Sequence, residues 1–324
     1  MNRAATRTLE TGGTLERVVV DCPQALAGHA QRIVLAIGVF DGVHIGHQAI
    51  FRELLDLAEE KQAQPAVLFF EPHPRAVLQP GQSPGRLTDI EERMRLMEQS
   101  GIRLFVCFPF TREIAALSPE AFCKGCLDVA NLEVCGYCVG ENWRFGQRNA
   151  GDGAALRQLT GKTVRIVPSA RWNGETISST RIREAIADGR VRDAAAMLGR
   201  PYSLNGTVEH GQGKGGPVLS YPTANLDGGG LQLPRFGVYA ARGFVDGVRH
   251  DGIAYVGDAP TLRGHDIIVE YHIFDFAGDL YGRGMNLEFV EFLRPSIRFA
   301  DAEALKQQID KDILQAKEIL AQTP

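Results

Sequence analysis

Residues Ile33 to Gln48 read IVLAIGVFDGVHIGHQ, and this stretch decides the fold. A short apolar run suited to a buried strand meets a turn built from Gly38, Asp41 and Gly42. His44-Ile45-Gly46-His47 then opens an amphipathic segment, Ile45 to Lys61, with Ile50, Leu54 and Leu57/Ala58 on one helical stripe. Strand, tight turn and helix start together make a phosphate cradle, because the first helical N–H groups lack intrahelical partners and the dipole is positive there. Two imidazoles three residues apart lie on one side of that helix start and can both hydrogen-bond a phosphoryl oxygen. Such a site suits nucleotidyl transfer. That reaction needs in-line positioning and neutralised charge on an α-phosphate and its leaving pyrophosphate, with no covalent enzyme intermediate.

Outward from this stretch, strands and helices alternate. Arg17–Val20 reads as a short strand, Ala66–Phe70 as a second buried strand after the first, and Leu104–Phe108, Val134–Val139 and Thr163–Val167 as the next three. Between them lie helices at Leu87–Ser100, Pro119–Leu127 and Ala154–Leu159. The prolines of Glu71-Pro72-His73-Pro74 are expected to stop any helix and hold His73 in an extended loop. This rhythm predicts a doubly wound parallel α/β sheet with ligands at the C-terminal strand ends. Ile177-Ser178-Ser179-Thr180-Arg181-Ile182-Arg183 begins another helix. Its Ser and Thr are ordinary caps, but basic residues in a first turn oppose the dipole at a cost of roughly 0.3–1 kcal/mol unless an anion binds there.

After the helix Val191–Leu198, closed by Gly199 and Pro201, the pattern changes. Short alternating segments (LNGTVEH, FGVYAARGF, HDGIAYVG, HDIIVEYHIFDF, MNLEFVEFL) predict a small antiparallel barrel. A final helix, Ala302 to Ala321, covers it with Leu305, Ile309, Ile313 and Ala316. Two domains are expected, 1–187 and 188–324, with the Val191–Leu198 helix as connector. A net charge of -4 and no basic run argue against a nucleic-acid partner. Neither a signal peptide nor a membrane span is legible, so a cytoplasmic protein is expected.

Six cysteines include Cys123-Lys-Gly-Cys126 and Cys135-Gly-Tyr-Cys138. The pairs stand closer together than in a zinc ribbon, and two strand residues three apart should face opposite ways, so core packing is expected over metal binding. Gly161-Lys162-Thr163 lacks the earlier glycine of a P-loop, since Leu156 stands there. Gly211, Gly213 and Gly216 match GxGxxG by letter, yet no helix follows. The loop, with Gly215, remains either an anion nest or a plain hairpin tip.

GVFDGVHIGH, EPHPRAVLQP, GENWRFGQRNAG and ISSTRIREAIADGRV resemble the adenylyltransferase half of bacterial bifunctional riboflavin kinase/FAD synthetases. LGRPYSLNGTVEHG, YPTANL, FGVYAA and DFAGDLYG before EFLRP resemble the kinase half. The resemblance implies ATP-dependent phosphorylation of riboflavin to FMN at the barrel and adenylylation of FMN to FAD at the sheet. It assigns His44 and His47 to ATP phosphates. The turn residues Gly38, Phe40, Asp41, Gly42 and Gly46 then shape the nucleotide site, with Asn142, Ser178, Ser179, Thr180, Arg181 and Arg183 lining it. In the barrel it implies a nest at Gly211, Gly213 and Gly215, Mg²⁺ and ATP phosphates at Thr223 and Asn225, and Glu270 as the catalytic base. Alternation along IIVEYHIFDF puts Glu270 and His272 on one face.

The chain departs from the family pattern in its second half. Ser220-Tyr221 replaces Gly-Phe, Tyr255-Val-Gly-Asp258-Ala259-Pro-Thr-Leu replaces Asn-Ile-Gly-x-x-Pro-Thr-Phe, and Ser296 stands where a glutamate is usual. An active kinase with altered kinetics or flavin preference is expected. The alternatives are an adenylyltransferase on a kinase-impaired, flavin-binding barrel, or a flavin-binding regulator without catalysis.

Overall fold

The computed structural model describes residues 7–9, 17–209, 223–226, 229–261, 264–276, 278 and 280–323, with backbone alone for 7–9, 223, 259–261 and 264–266. The chain divides into two compact units. The first comprises Met1–Pro84 and Ile90–Ser178, the second Gly85–Asp89 and Ser179–Pro324.

The first unit is built on a seven-stranded sheet of β1 (Arg7–Leu9), β2 (Arg17–Val20), β3 (Arg32–Gly38), β4 (Gln64–Glu71), β5 (Leu104–Pro109), β6 (Glu133–Gly140) and β7 (Thr163–Val167). Their spatial order is β1-β2-β5-β4-β3-β6-β7. All neighbours from β2 to β7 pair parallel, and only β1 runs antiparallel, on β2. Both faces of β3 are buried. Ile33, Leu35 and Ile37 join the core layer of Phe122 and Leu156. Val34 and Ala36 join that of Leu54, Leu57 and Met97. A strand buried on both sides reads as an unbroken apolar run, as IVLAI does. From β3 the chain builds out through β4 and β5, then crosses back to β6 and β7. The crevice between β3 and β6 is therefore the switch point where a doubly wound sheet holds its ligand.

Several expectations are corrected. A short helix, Pro74–Leu78, begins directly after β4. Pro74 occupies its first turn, where a missing N–H costs nothing, and His73 is its N-cap, with Nδ1 accepting from Arg75 N at 3.1 Å. The next helix starts at Ile90 rather than Leu87. Pro119–Leu127 is not one α-helix: Pro119–Phe122, capped by Ser118, gives way to a single π turn at Cys123–Leu127. Cys135 and Cys138 share a core layer instead of facing opposite ways. The cause is a bulge. Ile33 pairs with Val134 and Val34 with Gly136, so Cys135 is one extra residue on β6 and shifts the alternation by one. A hairpin of β8 (Arg171–Trp172) and β9 (Glu175–Thr176), unforeseen from sequence, turns on Asn173 and Gly174. Their φ values of 51° and 79° are those of a tight hairpin turn.

The second unit is a closed antiparallel barrel of β10 (Tyr202–Glu209), β11 (Thr223–Leu226), β12 (Gly237–Val245), β13 (Val248–Thr261), β14 (Gly264–Ile273) and β15 (Gly284–Pro295), in the order β10-β11-β14-β13-β12-β15. Closure leaves no strand edge open. The helices Ser179–Ala187 and Val191–Leu198 precede it. The segment Gly85–Asp89 also belongs here, with Arg86 bridged to Leu231. The last helix, Ala302–Gln322, buries Ala316 and Leu320 against Val238, Ala240, Ile253 and Val290 on the outside of the barrel. Arg242, 3% exposed, donates to the carbonyls of Leu320 and Thr323 and so caps that helix's C-terminal end.

Candidate functional sites

In the first unit the β3–helix turn is a strained, buried hook. Phe40, Gly42 and Val43 all have positive φ (54°, 83° and 42°), and the Val43 N–H closes the turn by donating to Phe40 O at 3.1 Å. The Phe40 ring folds back over Gly38, where an added Cβ would come within 2.7 Å of it. His44 is the N-cap of Ile45–Glu60, with Nδ1 accepting from His47 N at 3.3 Å. The His44 and His47 rings stack at 3.5 Å between centroids, and Phe40 meets His47 edge-on at 5.2 Å. Gly46 leaves space for this, since a Cβ there would sit 3.1 Å from the His44 ring. The turn thus packs two imidazoles against the open end of a 16-residue helix, beside the switch point.

Arg93, which sequence reasoning missed, underpins the turn. It is 1% exposed, donates Nη1 to Val39 O at 3.3 Å, and lies 3.8 Å from Asp41 and 3.7 Å from Glu71. Its guanidinium also stands over the Phe69 ring. The signal was present: Ile90, Arg93, Met94 and Met97 form one helical stripe, and a charge on an apolar stripe marks a buried ion pair.

Asn142 follows β6 on the other side of the crevice. It is exposed and donates Nδ2 to Ser169 Oγ at 2.9 Å, while Glu141 accepts from Ser169 N. Ser178 ends the first unit; Ser179, Thr180, Arg181 and Arg183 begin the second as the first turns of Ser179–Ala187. Arg181 is half-buried. Arg183 is 8% exposed and donates Nε to Gly85 O at 2.7 Å, tying its helix to the Gly85–Asp89 segment.

In the second unit, β14 pairs with both β11 and β13. Glu270 is opposite Asn225 on one side and Tyr255 on the other, while Thr223 is opposite His272. Directly paired residues share a face with Cβ atoms about 5 Å apart. That face opens into a cavity of about 320 Å³ between the barrel and the last helix, lined by Glu270, His272, Tyr255 and Ser296 together with Leu305 and Ile309. Burial pushes the Glu270 carboxyl above the ordinary glutamate value, the direction a base working near neutrality needs. Arg294 grips Asp312 with Nε at 2.9 and 3.0 Å and Nη2 at 2.7 Å, and Gln308 adds a bond at 2.9 Å. Asp312 is 2% exposed and, like Arg93, lies on its helix's apolar stripe with Leu305, Ile309 and Ala316. Gly211, Gly213 and Gly215 lie outside the described residues, as does the side chain of Thr223.

A strained turn running into a His-capped helix at the switch point of a parallel sheet defines a nucleotide-handling α/β enzyme, here followed by a carboxylate-bearing barrel. Residues 27–181 match the FAD synthetase family model and residues 198–320 the riboflavin kinase model. The bifunctional riboflavin kinase/FMN adenylyltransferase of Listeria monocytogenes is 34% identical over 86% of this chain and 90% of its own. That of Pseudomonas fluorescens is 36% identical over 89% and 93%. A crystal structure described as a macrolide-efflux protein from Streptococcus pneumoniae shares the fold with TM-score 0.80 at 28% identity, over 90% of this chain and 95% of that one. The chain belongs to the bifunctional riboflavin kinase/FMN adenylyltransferase family.

Proposed function

We propose that this protein makes FAD in two steps at two separate places, phosphorylating riboflavin at the barrel and adenylylating FMN at the sheet. The single observation that carries this reading is the pairing of Asn225 with Glu270 beside a cavity, in a chain whose other unit holds the stacked His44–His47 cradle. Residues 1–187 serve adenylyl transfer and residues 188–324 the kinase step.

In the kinase step, Glu270 removes the proton of the primary hydroxyl on the ribityl chain. The freed oxygen attacks the γ-phosphorus of ATP, the bond to ADP breaks, and FMN and protonated Glu270 result. Asn225 supplies a neutral oxygen beside a half-buried carboxylate, a donor set that fits a hard, oxygen-seeking cation. With Thr223 it would hold Mg²⁺, which supplies charge neutralisation on the ATP phosphates. The apolar wall of Leu305 and Ile309 suits a flat heterocycle and excludes water.

In the adenylyl step, a phosphate oxygen of FMN attacks the α-phosphorus of ATP and pyrophosphate leaves. His44 and His47 bind ATP phosphates at the turn. Asn142, Ser178, Ser179, Thr180, Arg181 and Arg183 serve the same reaction as polar and cationic partners of the nucleotide, with Arg181 meeting the charge that develops on the leaving group. A cytoplasmic setting, where ATP is abundant, fits both steps. Among the described residues no helix is long and apolar enough to cross a membrane.

The test is to supply riboflavin or FMN separately, with ATP and Mg²⁺. FMN then FAD should accumulate from riboflavin, and FAD directly from FMN. Failure of both would overturn the proposal. A stall confined to riboflavin would identify an adenylyltransferase on a barrel that only binds flavin.

A further inference from the structure

Two of the departures from the family pattern, 41 residues apart in sequence, meet in space. The Tyr255 hydroxyl and Ser296 Oγ are hydrogen-bonded at 3.1 Å on the exposed rim of the cavity that holds Glu270. Tyr255 is the direct cross-strand partner of Glu270. Its ring lies along β13 over Gly257, where a Cβ would stand 2.1 Å from the hydroxyl oxygen, so the missing side chain at 257 lets the ring reach Ser296. Ser296 itself opens the stretch between β15 and the last helix.

A solvent-exposed bond between two neutral hydroxyls competes with water and contributes little to stability. Each hydroxyl can donate and accept, so the pair keeps capacity for further hydrogen bonds. Leu305 and Ile309 of the last helix line the same cavity. The hydroxyl pair and the Glu270 carboxylate, where a substrate's reacting alcohol must lie, therefore line one cavity. A ligand entering this space displaces water from the hydroxyl pair, and its own hydroxyls must replace what the water supplied.

We propose that Tyr255 and Ser296 form a paired-hydroxyl clamp that recognises the secondary hydroxyls of the flavin's side chain and so sets the substrate specificity of the phosphorylation. This rests on the kinase reading above. A site that hydrogen-bonds a substrate hydroxyl rejects an analogue lacking it far more strongly than an apolar pocket rejects an extra one. The clamp thus selects a fully hydroxylated chain over a plain alkyl alcohol of equal length.

The experiment compares kcat/KM for riboflavin with that for an isoalloxazine carrying an unbranched 5-hydroxypentyl chain. Wild type, Tyr255→Phe, Ser296→Ala and the double variant are assayed, with FAD formation from FMN and thermal unfolding followed alongside. Wild-type phosphorylation of riboflavin establishes the kinase reading independently of the clamp. Each single variant should lose about 10-fold on riboflavin, as for one substrate hydrogen bond, and less than 2-fold on the deoxy analogue. The double variant should lose little more than either single one, because the hydroxyls act as a unit. Equal losses on both substrates, or no loss on riboflavin, would overturn the clamp while leaving the kinase reading in place.

Discussion

The two sites solve the problem of holding ATP's partners in opposite ways. In the sheet, ten consecutive residues, Gly38 to His47, make the hook, and its rigidity comes from backbone strain and one buried arginine. In the barrel, the cavity draws on β12, β13, β14, β15 and the last helix, and its shape comes from cross-strand register and the Arg294–Asp312 clasp. The first is local and made by one continuous turn, suiting a compact anion at a helix start. The second is assembled from distant segments, suiting a ring system that needs a walled slot. Damage should therefore stay confined to one reaction.

The largest expected effect tests that confinement. Glu270→Gln should lower riboflavin phosphorylation by about 10²–10⁴-fold, the range of a general base, and leave FAD formation from FMN unchanged. His47→Ala should do the reverse. Loss of both reactions from either change in a folded protein would break the two-site comparison. A pH series sharpens it: the kinase rate should fall as acidification protonates Glu270, with a midpoint above the ordinary glutamate value because burial raises that carboxyl. The stability sign follows from the same shift. A carboxyl whose folded pKa is raised contributes stability below its unfolded value and loses it as pH rises through the folded one. Glu270→Gln should therefore raise Tm at neutral pH and give no gain in acid, as calorimetry would register.

Arg93→Met leaves Asp41 and Glu71 beside an empty place in the core. Breaking a buried pair from one side costs about 3–5 kcal/mol. Denaturant unfolding should show that loss and FAD formation should fall, while riboflavin phosphorylation by the folded fraction persists. Gly38→Ala forces a methyl group against Phe40 and should cost about 1–3 kcal/mol, the range for overpacking. Its adenylyl transfer should be slowed more than its ATP binding is weakened. The smallest effect belongs to the barrel: Asp301→Ala removes the N-cap of the last helix, whose Oδ1 accepts from Ala304 N at 2.8 Å. About 1 kcal/mol should be lost, with a raised KM for riboflavin and an unchanged one for FMN adenylylation.

The hook was readable because its parts are neighbours in sequence: an unbroken apolar run, two glycines, two histidines. So was the barrel, whose strands alternate plainly. What escaped is what depends on distant partners. Nothing local in β6 announces that Cys135 is an extra residue, since a bulge exists only relative to β3. Arg93 and Asp312 look like solvated charges on helices until their stripes are drawn, and only the fold says which counter-charge meets them. The helix at Pro74 escapes a rule that treats proline as a stop, because a first-turn proline starts a helix just as well. The meeting of Tyr255 and Ser296 could not be read from either motif alone.

The cysteines also supply a clock. All six lie at or before Cys138, within the first unit, and the second unit has none. Burial pushes the thiols of Cys107 and Cys123 up to about 11 and that of Cys138 to about 12. At neutral pH these thiols stay protonated, so they are chemically quiet while the sheet stays shut. With the partly exposed Cys22 and Cys107 replaced by serine, labelling of the four buried thiols times the opening of the first unit alone and is blind to the barrel. Slower labelling with ATP present would read nucleotide occupancy at the hook without any flavin chemistry taking place.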